Sequence, residues 1–157
     1  MDRQIEETVI QAKRVSKKTT GGNKISFTAL VVVGDRDGRI GYCLSKAPSL
    51  SEAIRKAASK ARDRMVKIDL VEGTVPHEAV LKMGAAKILI KPAPKGTGLV
   101  AGGAVRKVLE LVGVRNVSAK ILGTRNKTLN VMATVELLKS IRYLNLPQKT
   151  KIADAAK

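Results

Sequence analysis

Apolar residues along the chain recur at two different periods, and each change of period marks an element. Over residues 7–15, Thr8, Ile10 and Ala12 alternate with Val9, Gln11 and Lys13, the two-residue period of a strand. Residues 25–33 read Ile-Ser-Phe-Thr-Ala-Leu-Val-Val-Val and predict a stronger strand, because β-branched residues suit a pleated surface. Between the two, residues 14–24 carry no apolar period and a Gly21-Gly22 tip, which predicts a basic loop. Gly34-Asp35-Arg36-Asp37-Gly38 predicts a hairpin turn, since Asp-Gly tolerates positive φ, and residues 39–44 form the return strand. Residues 49–66 change to helical spacing, with Leu50, Ala53, Ile54, Ala57, Ala61 and Met65 on one face. Ser49 and Glu52 stand at capping-box spacing where that helix begins.

Residues 69–77, with Glu72-Gly73-Thr74 and Pro76, break the pattern and separate two units, 1–70 and 71–146. In the second unit, short strands at 78–83 and 87–91 flank Gly84 as a hairpin, and 92–98 is a Pro- and Gly-rich loop. A helix over 100–112 ends at Gly113, the residue type that suits a helix C-terminus. A strand over 116–122 and a helix over 126–142 follow, the latter carrying Leu129, Ala133, Leu137 and Ile141. Residues 147–157 form a polar tail expected to be mobile. The fold class is α+β.

Composition narrows the function. Aromatic residues are 2% of the 157, namely Phe27, Tyr42 and Tyr143, so the core is built from Val, Leu, Ile and Ala. Aromatic stacking platforms of the kind single-strand RNA binders use are nearly excluded. A hydrophobic fraction of 44% excludes a wholly disordered chain. Cys43 stands alone, which allows no internal disulfide and no Cys-based zinc site. No run approaches 18 apolar residues and no signal-peptide segment follows Met1, so no membrane partner is expected; the lone cysteine fits a reducing cytoplasm, with a plastid or other organelle left open.

Charge changes the picture more. Thirty Lys and Arg against thirteen Asp and Glu leave a net +17, divided as +6 over residues 1–75 and +11 over 76–157. An excess spread over both halves calls for a polyanionic partner.

Several motifs could carry chemistry. A hydrolase triad would depend wholly on His77, the one histidine, which reads better as a surface or capping residue. Asp35 and Asp37 suggest a calcium loop, but Arg39 falls where the fifth ligand belongs and no closing Glu follows, so the turn reading is preferred. Gly96-Thr97-Gly98 with Gly102-Gly103 lies between a strand and a helix, as a phosphate loop would. It lacks the Gly-Lys-Ser/Thr ending and a following βαβ unit with its acidic residue. Helix packing and RNA phosphate contact both stay open there, with packing slightly favoured. No catalytic residue, cofactor or metal is expected. The sharpest candidate is the basic loop, where Lys13, Arg14, Lys17, Lys18 and Lys24 crowd a tip of Gly21 and Gly22. Lysine and arginine neutralise phosphates and release counterions, and glycine lets the backbone come close.

A family resemblance follows from the same residues. Arg14-Val15-Ser16-Lys17, Gly21-Gly22, the run from Phe27 to Asp35, Ala53-Ile54-Arg55-Lys56-Ala57 and Gly73-Thr74-Val75-Pro76-His77 appear in order. Gly96-Thr97-Gly98, Ala101-Gly102-Gly103-Ala104-Val105-Arg106, Val108-Leu109-Glu110 and Gly113-Val114 continue the series. Together they resemble the bacterial-type ribosomal protein five of the small subunit, over roughly residues 7–142. The chain departs from the family pattern at Cys43, Ser45, Ser51, Lys127 and Met132. The resemblance implies an N-terminal domain like a double-stranded-RNA-binding domain and a C-terminal α+β domain with a left-handed βαβ crossover. It implies a structural, non-enzymatic role in the small ribosomal subunit, supporting assembly and translational accuracy. The partners it implies are small-subunit rRNA, ribosomal proteins four and eight, and mRNA near its entry path, with the basic loop close to the spectinomycin pocket.

The expected rRNA contacts are thus the loop residues Lys13, Arg14, Lys17, Lys18, Gly21, Gly22 and Lys24. To these are added Arg55, Lys56, Arg62 and Arg64 on the first helix, and Lys95 and Arg106 in the second unit. The competing readings are a free-standing double-stranded-RNA-binding regulator and a small nucleotide-dependent enzyme using residues 96–103.

Overall fold

The computed structural model describes residues 4–141. Among them, strands β1 (Glu6–Thr19), β2 (Gly22–Gly34), β3 (Arg39–Ala47) and β4 (Val66–Lys67) form one antiparallel sheet in the order β1-β2-β3-β4. Helix α1 (Leu50–Asp63) covers one face of it, starting at Ser49, whose hydroxyl accepts from the Glu52 amide at 3.3 Å. Ala53, Ala57, Ala58 and Ala61 meet Ala29, Val31, Val33, Cys43 and Ala47 there. Alanine lets the helix backbone lie close to the sheet.

The helix is shorter than its apolar period suggested. Arg64 leaves helical geometry, and Val66 joins β4 beside Ile40. Leu50, at the first helical position, stays 40% exposed; Ile54 and Met65 are half-buried, and Ala58 enters the buried stripe. The hydrophobic face is therefore narrower and more alanine-rich than expected.

In β2, Ala29, Leu30, Val31, Val32 and Val33 are all fully buried, so neither face of that strand sees water. A continuous apolar run is what a doubly covered strand requires. Leu30 and Val32, with Ile40, face away from α1 into a second core that continues through the C-terminal half.

That half contains β5 (Ala79–Met83), β6 (Ala86–Pro92), β7 (Leu99–Val100), α2 (Gly103–Val112), β8 (Val117–Ile121) and α3 (Lys127–Ser140). Its sheet runs β5-β6-β8-β7, and only β7 and β8 are parallel, joined across α2. The helix expected from residue 100 begins at Gly103 instead. Leu99 and Val100 pair with Val117 and Ser118, and Gly102 at the N-cap and Gly103 at the first helical position both have poor helix propensity. Helix α3 is capped by Asn126, whose side-chain oxygen accepts from the Thr128 amide at 3.1 Å. It is buried on more than one face, through Val131, Ala133, Thr134, Val135, Leu137 and Leu138. Arg142 and the tail lie outside the described residues.

The two sheets are joined through a turn. Residues 34–38 link β2 to β3, and Asp35 Oδ1 accepts from the Asp37 and Arg39 amides, both at 2.9 Å. The same turn donates its Arg36 and Gly38 amides to the carbonyls of Leu111 and Val112, at 3.0 and 2.9 Å. The last carbonyls of α2, which no helix can satisfy internally, are thus capped by the other sheet's turn. Gly113, in the left-handed region at φ 97, sits so near this turn that a Cβ would strike the Arg36 carbonyl oxygen.

Candidate nucleic-acid interface

The expected basic loop is a β-hairpin arm. Strand pairing continues from Lys13↔Thr28 through Lys17↔Lys24 and Lys18↔Asn23 to Thr19↔Gly22, leaving only Thr20 and Gly21 as the loop. Sequence periodicity missed this because both sides of the arm are exposed, and a strand with no buried face shows no apolar alternation. The Thr19 hydroxyl donates to the Gly22 carbonyl at 2.7 Å and closes the tip. Strand β3 pairs with β2 only from Phe27 onward, so Gly22–Ser26 and their partners on β1 project as a two-stranded ribbon. Five residues of strand extend roughly 17 Å.

Directly paired residues share a face, so the register sorts the cations. Lys13, Lys17 and Lys24 lie on the face continuous with Leu30 and Val32; Arg14 and Lys18 lie on the face continuous with Phe27 and α1. A bulge sets this arrangement. The register shifts between Val9 and Gln11, and Ile10 is the extra residue. Before it, odd-numbered residues of β1 face α1; after it, even-numbered ones do. The unbroken alternation expected over residues 7–15 therefore fails at Ile10.

Among the described residues, six cations outside the arm are held by carboxylates. Arg36 pairs with Glu6 at 2.8 Å, Arg62 with Glu7, Lys91 with Glu78 at 3.3 Å and Lys95 with Glu72 at 2.9 Å. Lys107 and Lys139 pair within their own helices. Among the described residues, Lys13, Arg14, Lys17, Lys18 and Lys24 meet no carboxylate, and no acidic residue occurs from Thr8 to Gly34.

The other candidate residues do not join the arm in one patch. Arg55 and Lys56 are exposed on α1 and line a groove of about 410 Å³ with Lys46, Pro48, Glu52 and Ser59. Arg64 is exposed at the end of α1 and Arg106 on α2. Arg62 and Lys95 are the two already held by carboxylates. The Lys95 ammonium holds the Glu72 carboxyl below the usual carboxylate range by hydrogen bond and charge, and Glu72 raises Lys95 in turn.

The glycine segment divides. A Cβ on Gly102 would press on Ile121, which is the packing role; Gly96 and Gly98 face open space at positive φ. Their amides donate to Asn116 Oδ1 at 3.1 and 3.2 Å, so an internal side chain organises the loop. His77 is half-buried beside the linker. Among the described residues no three His, Cys, Asp or Glu side chains gather at metal-binding spacing, and no helix is long and apolar enough to cross a membrane.

Fold and arm define a class: small, basic α+β proteins that carry a cation-rich hairpin arm. Comparison with known proteins gives the family. Residues 5–69 match the family model "Ribosomal protein S5, N-terminal domain", and residues 81–151 match "Ribosomal protein S5, C-terminal domain". The chain is 43% identical over 148 residues to "Small ribosomal subunit protein uS5" of Syntrophobacter fumaroxidans (strain DSM 10017 / MPOB), covering 94% of this chain and 89% of that protein. It is 46% identical over 140 residues to the protein of the same name from Lawsonia intracellularis (strain PHE/MN1-00), covering 89% and 86%. The chain belongs to the ribosomal protein S5 family.

Proposed function

We propose that this protein is a structural constituent of the small ribosomal subunit that binds small-subunit rRNA, with no catalytic step of its own, and supports subunit assembly and translational accuracy. The observation that carries the reading is the arm, with five cations, two exposed faces and, among the described residues, no carboxylate in reach. Cations on both faces suit an arm inserted between RNA segments better than one laid on a single surface. Contacts of this kind are to phosphates and set position and orientation without reading bases. Arg55, Lys56, Arg64 and Arg106 supply further contacts. Arg62 and Lys95 contribute only if rRNA displaces Glu7 and Glu72. The finer assignments, neighbouring ribosomal proteins four and eight, mRNA near its entry path and a cytoplasmic ribosome, rest on family membership.

The test is the triple substitution Lys17→Ala, Lys18→Ala, Lys24→Ala. The side chains removed make no contact with the core, so the melting temperature of the free protein stays within about 2 °C, the effect of a few tenths of a kcal/mol in a chain this size. Affinity for small-subunit rRNA falls, and so does co-sedimentation with small subunits in high salt. Lost stability with unchanged affinity would make the arm a structural element and defeat the reading.

A further inference from the structure

Among the described residues, the second sheet is covered on one face only. Ala86, Ile88, Ile90, Val117 and Ala119 point into the core, against α3 and α2. The alternate residues form an open face that the sequence reading passed over. Register puts Lys82 directly opposite Lys87, and Leu89 opposite Lys120. Lys82, Lys87 and Lys120 are exposed, and among the described residues none has a carboxylate partner. The one acid on this face, Glu78, is at the far end and already pairs with Lys91 at 3.3 Å. From Ala79 to Lys127 the chain has ten cations and one acid, Glu110 on α2.

Like charges directly opposite one another on a sheet are destabilising. The Lys82–Lys87 pair, with Lys120 a diagonal step of about 7–8 Å from Lys87, is thus held against its own repulsion. Burying it against a polyanion relieves that repulsion. A protein partner fits less well. Lysine is depleted at protein–protein interfaces, whose anchors are Trp, Tyr and Arg. Among the described residues the exposed apolar side chains here are only Val80, Val100 and Leu122, about half exposed, and none on the face is aromatic. We propose that the open face of the second sheet is an RNA-docking surface in which Lys82, Lys87 and Lys120 hold the phosphates of an RNA duplex. This rests on the reading that the protein binds ribosomal RNA, and it adds a surface on the half of the molecule that lacks the arm.

The experiment uses the full chain and a 20-base-pair RNA duplex of mixed sequence, titrated at graded salt. The substitution Lys82→Gln, Lys87→Gln, Lys120→Gln makes the slope of log affinity against log salt shallower by about 2–3, since each phosphate contact contributes close to one. With parity near 1 M salt, that is a loss of about 100- to 1,000-fold at 0.1 M. The charge-preserving K82R/K87R/K120R variant keeps the wild-type slope, and its melting temperature and that of the Gln variant match or exceed wild type. A Gln variant that binds the duplex with wild-type slope and affinity overturns the proposal, while loss in the arm variant leaves the rRNA reading standing. Loss of poly-glutamate binding with RNA binding intact also overturns it, in favour of an acidic protein partner. A wild-type chain that binds neither the duplex nor rRNA defeats the ribosomal reading itself.

Discussion

Two adjacent glycines at the arm's tip do different jobs. Gly22 sits at φ 123, where an L side chain is strained, whereas Gly21 has ordinary φ and a Cβ there would meet nothing within 4 Å. Gly22→Ala is expected to cost roughly 1–2 kcal/mol in arm stability, read as faster amide exchange in residues 15–26. Gly21→Ala should leave exchange unchanged, and a bulkier Gly21→Val should weaken rRNA binding if backbone approach matters there. Glu72 and Lys95 offer a residue-level check by pH. The folded-state pKa of Glu72 is lowered, so the pair's contribution is present above the ordinary carboxylate range and fades as pH falls through the lowered value. Lys95 is raised, so its share is complete below the ordinary lysine range and fades as pH rises through the raised value. Following the Glu72 carboxyl by NMR, Lys95→Ala should move its titration upward; an unmoved curve would mean the pair does not persist in solution.

At the scale of elements, α1 shows how far a sequence period can be trusted. Spacing located the helix, its Ser49 cap and the buried Ala53, Ala57 and Ala61, yet it also put Leu50, Ile54 and Met65 on the buried face and missed Ala58. Apolar character marks a candidate face, but closeness of approach decides which residues are buried on it. Ala57→Asp, at a fully buried position, should cost on the order of 3 kcal/mol or more by burying an unpaired charge. Ile54→Asp, at the half-buried margin, should cost about 1–2 kcal/mol. Equal melting temperatures for the two would refute this packing. The arm was legible as charge and glycine but not as strand, because its ladder is made of backbone bonds that leave no mark in side-chain pattern. The Ile10 bulge and the three-lysine face were hidden for a related reason: both depend on register between strands, which one strand's sequence does not carry.

At the scale of the whole molecule, one sheet ends at Lys67 and the other begins at Ala79, yet a single core spans both. One apolar cluster runs from Leu30, Val32 and Ile40 to Leu109, Val112 and Leu138, and the capped end of α2 fixes one half on the other. Gly113→Ala places a Cβ against the Arg36 carbonyl in a left-handed conformation, and should lower the melting temperature by at least about 4 °C. Amide exchange in β2 and β6 should accelerate together; faster exchange in one sheet alone would show that the halves unfold separately. The shared core also shapes the protein's manufacture. Leu30, Val32 and Ile40 are translated some seventy residues before the α2 side chains that shelter them, an interval of roughly 4–14 s at ordinary elongation speeds. During it the nascent first half carries a bare apolar face that its own chain cannot yet conceal. That half-made protein is at its most adhesive, and in greatest need of a chaperone, before α2 leaves the exit tunnel.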